Sequence, residues 1–253
     1  MMSAHMNGFT KFRGLAHTGF RAKISRIRGK QSFSIISSSP LQNNRNTTKS
    51  NVSNVAFVGL GAMGYGMAAN LHRYRAPSET VHVWNRTGKI AEAHEKSVGT
   101  RSASSLDHLK SCSIVFLCLP TSAEVERLCS ELGPKLSPGS IIADCTSGDL
   151  HKTRQIALQL ESQHGVQMVD CPVSVGPAGA ASGELTSMVG GPRKAVDAIV
   201  PYLSRMVKRQ IVPVGPIGAG HAVKAVNNTL NTAHLLLAAE GLIARAEFGI
   251  APD

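Results

Sequence analysis

Lys224 and Asn228 stand four residues apart in GAGHAVKAVNN, a spacing that puts both on one face of a helix, where they can meet one small molecule. A lysine on an otherwise apolar helix is costly unless it has a partner or a task, and a partly desolvated amine both gives and takes a proton well. Spacing alone equally allows a surface lysine that snorkels beside a polar neighbour. Upstream, DCPVSVGPAGAASGELTSMVGG sets Ser174 and Gly176 in a glycine-dense loop, where a hydroxyl can donate and accept close to exposed backbone. Read alone, that loop is as well a flexible connection.

A third candidate is VAFVGLGAMGYGMAANL, in which Gly59, Leu60, Gly61, Ala62, Met63 and Gly64 form a GxGxxG turn between a strand and a helix. The first glycine makes the tight turn, the second lets backbone approach a pyrophosphate, and the third permits close packing of helix on strand. The unpaired N–H groups of the helix start then receive phosphate. This context predicts a dinucleotide site. At the end of the next strand, where a carboxylate would bind the ribose hydroxyls, the chain reads WNRTGK and offers Asn85, Arg86 and Thr87. An arginine there can grip a 2′-phosphate, which favours NADP(H) over NAD(H); the alternative is a solvated surface charge.

These residues need a scaffold, and the pattern from Asn54 onward supplies one. Short β-branched runs at 55–59, 80–84, 113–119, 140–144, 166–170, 185–189 and 210–214 alternate with helical patterns near 62–74, 87–97, 121–132, 149–163 and 193–206. Runs as apolar as IVFLCL suit strands covered on both faces. The expectation is an α/β fold, a Rossmann-type doubly wound and mostly parallel sheet over 54–216. From 217 to 253 a long apolar helix follows, with Val223, Val226, Leu230, Leu237, Gly241, Ala244 and Phe248 near one face. Such a face calls for covering, and association of two copies through it is expected.

Charge narrows the function. The formal net charge is +11, yet nine of the 27 Lys and Arg lie within residues 1–50 and the first acidic residue is Glu79. The remainder is nearly neutral, which argues against a nucleic-acid partner. The acid-free start, rich in Arg and Ser with Phe9, Phe12, Leu15, Phe20, Ile24 and Ile27 at roughly helical spacing, matches a transit peptide. Residues 1–53 are expected to be that peptide and a Ser/Asn/Thr linker, and the protein to reside in the mitochondrial matrix; a basic tail on a cytoplasmic protein is the alternative. No apolar run is long enough to span a membrane. The five cysteines form no CxxC pair and no metal-type spacing with histidine, so no metal is expected.

Taken in order, GLGAMGYGMAANL, CLPTSAEVE, the Ser174 loop and GAGHAVKAVNN resemble the β-hydroxyacid dehydrogenases of the 3-hydroxyisobutyrate dehydrogenase type, relatives of 6-phosphogluconate dehydrogenase and its NADP-binding domain. The resemblance covers roughly 54–253. It implies that Lys224 is the catalytic lysine, Asn228 its partner on the helix and Ser174 the substrate-binding serine, with Gly176 beside it. It also implies that Leu119, Pro120 and Ser147 line the cofactor. The implied reaction is NADP(H)-dependent interconversion of a small β-hydroxy acid and its semialdehyde or keto form. Two departures stand out: Val175 occupies the middle of the family's Ser-Gly-Gly, and the family's all-helical second domain has no counterpart before Asp253. The chain therefore reads as a fragment or a truncated product, and a catalytically inactive NADP-binding or interaction protein is the alternative function.

Overall fold

The computed structural model describes residues 54–251. The expected transit peptide and linker at 1–53 lie outside them.

The core is a nine-stranded sheet. In chain order its elements are β1 (Asn54–Val58), α1 (Gly64–Arg73), β2 (Thr80–Trp84), α2 (Gly88–Val98), β3 (Arg101–Ser102), β4 (Ile114–Leu117), α3 (Ser122–Leu132), β5 (Ile141–Asp144), α4 (Leu150–His164) and β6 (Gln167–Asp170). Then come β7 (Val173–Ser174), α5 (Pro177–Ser182), β8 (Thr186–Gly190), α6 (Arg193–Leu203), β9 (Gln210–Gly215) and α7 (Ala219–Glu247). Strands β1 to β6 run parallel in the order β3-β2-β1-β4-β5-β6, so the order reverses beside β1. That is the dinucleotide-binding arrangement, with its crevice at the carboxyl ends of β1 and β4.

Both faces of the sheet are covered, as the unbroken apolar strands require. Val55 and Phe57 of β1 enter one cluster with Met67, Leu71 and Ile199, while Ala56 and Val58 enter the other with Leu128, Leu132 and Ile156. Alternation along a strand thus serves two cores at once. The sheet turns antiparallel only at β8, which meets β6 at Asp170↔Gly190 and β7 at Val173↔Ser187 and Ser174↔Thr186. One constant register covers both, so β6 and β7 run along a single edge of β8; β9 adds in parallel on the other.

All seven expected strands and all six expected helices are present, and β3, β7 and α5 are additional. The long helix starts at Ala219 and packs on β6, β8, β9 and α4. From Val226 onward its large apolar residues are exposed. Among the described residues no helix is long and apolar enough to cross a membrane, and no group of three or more His, Cys, Asp or Glu could hold a metal ion.

Candidate functional site

The glycine turn after β1 is shaped by contact as much as by conformation. Gly59 has φ +94°, and a Cβ there would strike the Cys118 carbonyl and lie 2.8 Å from the Leu119 side chain. A Cβ on Gly64 would fall inside the Gly59 carbonyl. Gly61 is different, because nothing lies within 4 Å of the place a Cβ would take. Its open side is where a pyrophosphate can approach the backbone.

Helix α1 begins without a side-chain cap and without an acid in its first turn, whereas Thr121 caps α3 and Asp149 caps α4. A helix start left uncapped beside an open glycine suits an anion, so these residues fit the phosphates of a dinucleotide. Asn85 joins the same loop: its Oδ1 accepts from the Leu60 N–H at 3.0 Å, and its Nδ2 donates to the Thr87 carbonyl at 3.2 Å. It therefore ties the end of β2 to the glycine turn. Arg86 and Thr87 beside it are exposed. Leu119 and Pro120 follow β4, and Ser147 follows β5, so all of these residues share one rim.

Ser174 closes β7, half-buried and paired with Thr186. The next residue, Val175, has φ +97°, and among the described residues it is the one non-glycine with positive φ. Gly176 follows at φ +84°. Lys224 lies in the second turn of α7 and is half-buried; burial holds its amine below the usual lysine value of 10.5. Asn228 sits one turn further on, exposed. Ser174 and the start of α7 are thus brought to the same end of the sheet, at the close of β6.

What holds them there was not singled out in the sequence. Asp170 ends β6 with no exposed surface, and its two oxygens accept the Gly218 N–H at 2.7 Å and the His221 N–H at 2.8 Å. In register on the next strand, buried Asp144 accepts the Thr146 N–H at 2.9 Å, and the Thr146 hydroxyl accepts the Leu119 N–H at 3.0 Å. The buried His221 ring lies between these systems, with Nδ1 2.7 Å from the Thr153 hydroxyl and Nε2 3.9 Å from Asp144 Oδ2. Burial pushes both carboxyls up, against the pull of His221 and of the N–H donors. An aspartate closing a strand that carries no other charge, as in IIAD and QMVD, was the signal available.

The chain matches, over residues 54–215, the family described as the NAD binding domain of 6-phosphogluconate dehydrogenase. It is 34% identical over 206 residues to 2-(hydroxymethyl)glutarate dehydrogenase of Eubacterium barkeri, covering 79% of this chain and 65% of that protein. To the probable mitochondrial 3-hydroxyisobutyrate dehydrogenase of Dictyostelium discoideum it is 31% identical, with 83% and 65% covered. The solved structure of Mycobacterium tuberculosis 3-hydroxyisobutyrate dehydrogenase with L-serine superposes with a TM-score of 0.72 at 28% identity, over 79% of this chain and 67% of that one. The chain thus spans just under two thirds of the length of these two curated relatives.

Proposed function

The chain belongs to the β-hydroxyacid dehydrogenases of the 3-hydroxyisobutyrate dehydrogenase type, and from that premise we propose that it is an NADP(H)-dependent oxidoreductase interconverting a small β-hydroxy acid and its semialdehyde or keto form. The observation that carries the reading is the half-buried Lys224 in the second turn of α7, with Asn228 one turn on and Ser174 at the same end of the sheet. Burial lowers the proton affinity of its amine, which suits a group that takes and returns a hydroxyl proton. A bound nicotinamide accepts or supplies the hydride.

Each residue then has a task. In oxidation, neutral Lys224 accepts the proton of the substrate hydroxyl as the hydride leaves the same carbon; in reduction the ammonium gives that proton back. Asn228 orients the reacting oxygen or the lysine, and Ser174, with the N–H groups around Gly176, receives the carboxylate. The α1 start and Gly61 hold the pyrophosphate, and Arg86 meets the 2′-phosphate, so NADPH is preferred to NADH. Leu119, Pro120 and Ser147 frame the nicotinamide side. The acid-free N-terminal stretch supports residence in the mitochondrial matrix, and the exposed face of α7 supports a homodimer. A second reading, cofactor binding without turnover, draws on Val175, whose side chain occupies the middle of the carboxylate loop.

Titrating the purified chain with NADPH and NADH, then adding succinic semialdehyde, glyoxylate and methylmalonate semialdehyde, tests both. The expected result is tighter binding of NADPH, turnover with at least one substrate, and loss of turnover in Lys224→Ala with NADPH affinity kept. Binding without turnover transfers the conclusion to the second reading, and no binding of either nucleotide removes both.

A further inference from the structure

A helix start normally recruits its cap from its own sequence, through a side chain that accepts the third N–H and a second one that reaches back to the first. Helix α7 has no such residues: its cap position is Gly218, which offers no side chain, and no acid stands in its first turn. Both duties fall to Asp170, 48 residues away, which accepts the N–H of the cap residue Gly218 and that of His221 three positions on. The chain is folded tightly around this carboxylate. A Cβ on Gly190 would lie 2.6 Å from its Oδ1, and one on Gly220 2.8 Å from its Oδ2.

We propose that Asp170 is the positioning residue for Lys224, fixing the start of α7 on the strand edge that also carries Ser174. The inference rests on the function proposed above. Of the three segments given ligand roles above, two are tied to a pair of carboxylates in register and the third continues the edge that one of them closes. Asp170 holds α7, and Ser174 lies four residues beyond it on the same edge of β8. Asp144 holds Thr146 and through it Leu119, on the nicotinamide side. His221, three residues before Lys224, fits between them with its other nitrogen on Thr153. A carboxylate suits this place because it accepts at both oxygens, whereas an amide accepts at one and directs its NH2 against an N–H.

The test replaces Asp170→Asn in the full chain and reads two signals. The first is the titration of Lys224, followed by NMR of 13C-methylated lysines and assigned with Lys224→Arg. The second is steady-state kinetics. As α7 loses its seat, the Lys224 amine is expected to titrate closer to the ordinary lysine value. The kcat is expected to fall by about 10²-fold, the loss a misplacement of roughly 1 Å can cause, with NADPH affinity unchanged. A general loss of folding would instead weaken NADPH binding too; in that case the smaller Asp170→Ser, which fits the crowded space, gives the same two readings. An unshifted Lys224 titration, or an undiminished kcat, overturns the inference. If the unsubstituted chain itself turns nothing over, the functional reading fails, and the titration alone decides whether Asp170 positions the lysine.

Discussion

Val175 is the residue whose local chemistry and local backbone disagree most. A β-branched side chain at φ +97° is held where the Cβ crowds the carbonyl, at a cost of about 1–2 kcal/mol, so surrounding structure must impose it. The packing shows how: a Cβ on Gly179 would come within 2.8 Å of Val175 Cγ1, so the valine leans over the α5 turn while staying half exposed. Its side chain stands beside Ser174, in the loop proposed to receive a carboxylate. Val175→Gly is therefore expected to relieve strain and open the loop together. The predicted outcome is a lower KM for the carboxylate substrate with kcat little changed, and a melting temperature that does not fall despite the entropy glycine adds to the unfolded chain. A raised KM in steady-state assays would show that the valine contributes to binding.

At the scale of elements, the glycine turn and α1 act as one unit in which each glycine has a different physical duty. Gly64→Ala forces Cβ into the Gly59 carbonyl, backbone against backbone, and is expected to cost about 1–3 kcal/mol in thermal unfolding along with NADPH affinity. Gly61→Ala meets nothing inside the protein. It is expected to leave the melting temperature within a degree or two while reducing NADPH affinity at least about tenfold, about 1.4 kcal/mol, because its methyl occupies the pyrophosphate approach. Equal effects of the two substitutions on stability would contradict this division. The turn was legible from sequence because everything that defines it lies within a dozen residues of a buried strand. By contrast, β3 and β7 have two residues each, too few to show a period, and α5 is PAGAAS, whose small residues mark no face. The Asp170 cap was hidden for another reason. Its donors lie 48 and 51 residues downstream, and capping signals can be read only where both partners are local. The role of Asn85 was half visible: its place at the end of β2 was clear, but its bond to the Leu60 N–H exists only once β1 and β2 pair.

At the scale of the whole molecule, two apolar cores cover the faces of the sheet among the described residues, and the exposed large apolar side chains are concentrated on α7. The helix has 29 residues, roughly 43 Å at 1.5 Å per residue, and Leu230, Leu235, Leu236, Leu237, Leu242, Ile243 and Phe248 are each more than half exposed. Its first turns are anchored by Asp170 and pack on the sheet, so the exposed face is presented on a fixed base. Apolar patches of this kind on a folded chain mark association surfaces. Each leucine brought from exposure to full burial contributes about 1.5–3 kcal/mol, so two of them together account for about 3–6 kcal/mol, or two to four orders of magnitude in Kd. Sedimentation velocity of the 253-residue chain at micromolar concentration is accordingly expected to show a dimer or larger species. The double substitution Leu230→Glu with Leu237→Glu, seven residues apart on one face, is expected to give a monomer that still binds NADPH. A monomeric starting protein would contradict self-association. A variant that remained dimeric would move the interface to the face of α7 bearing Leu235 and Leu242, where the same substitution can be repeated.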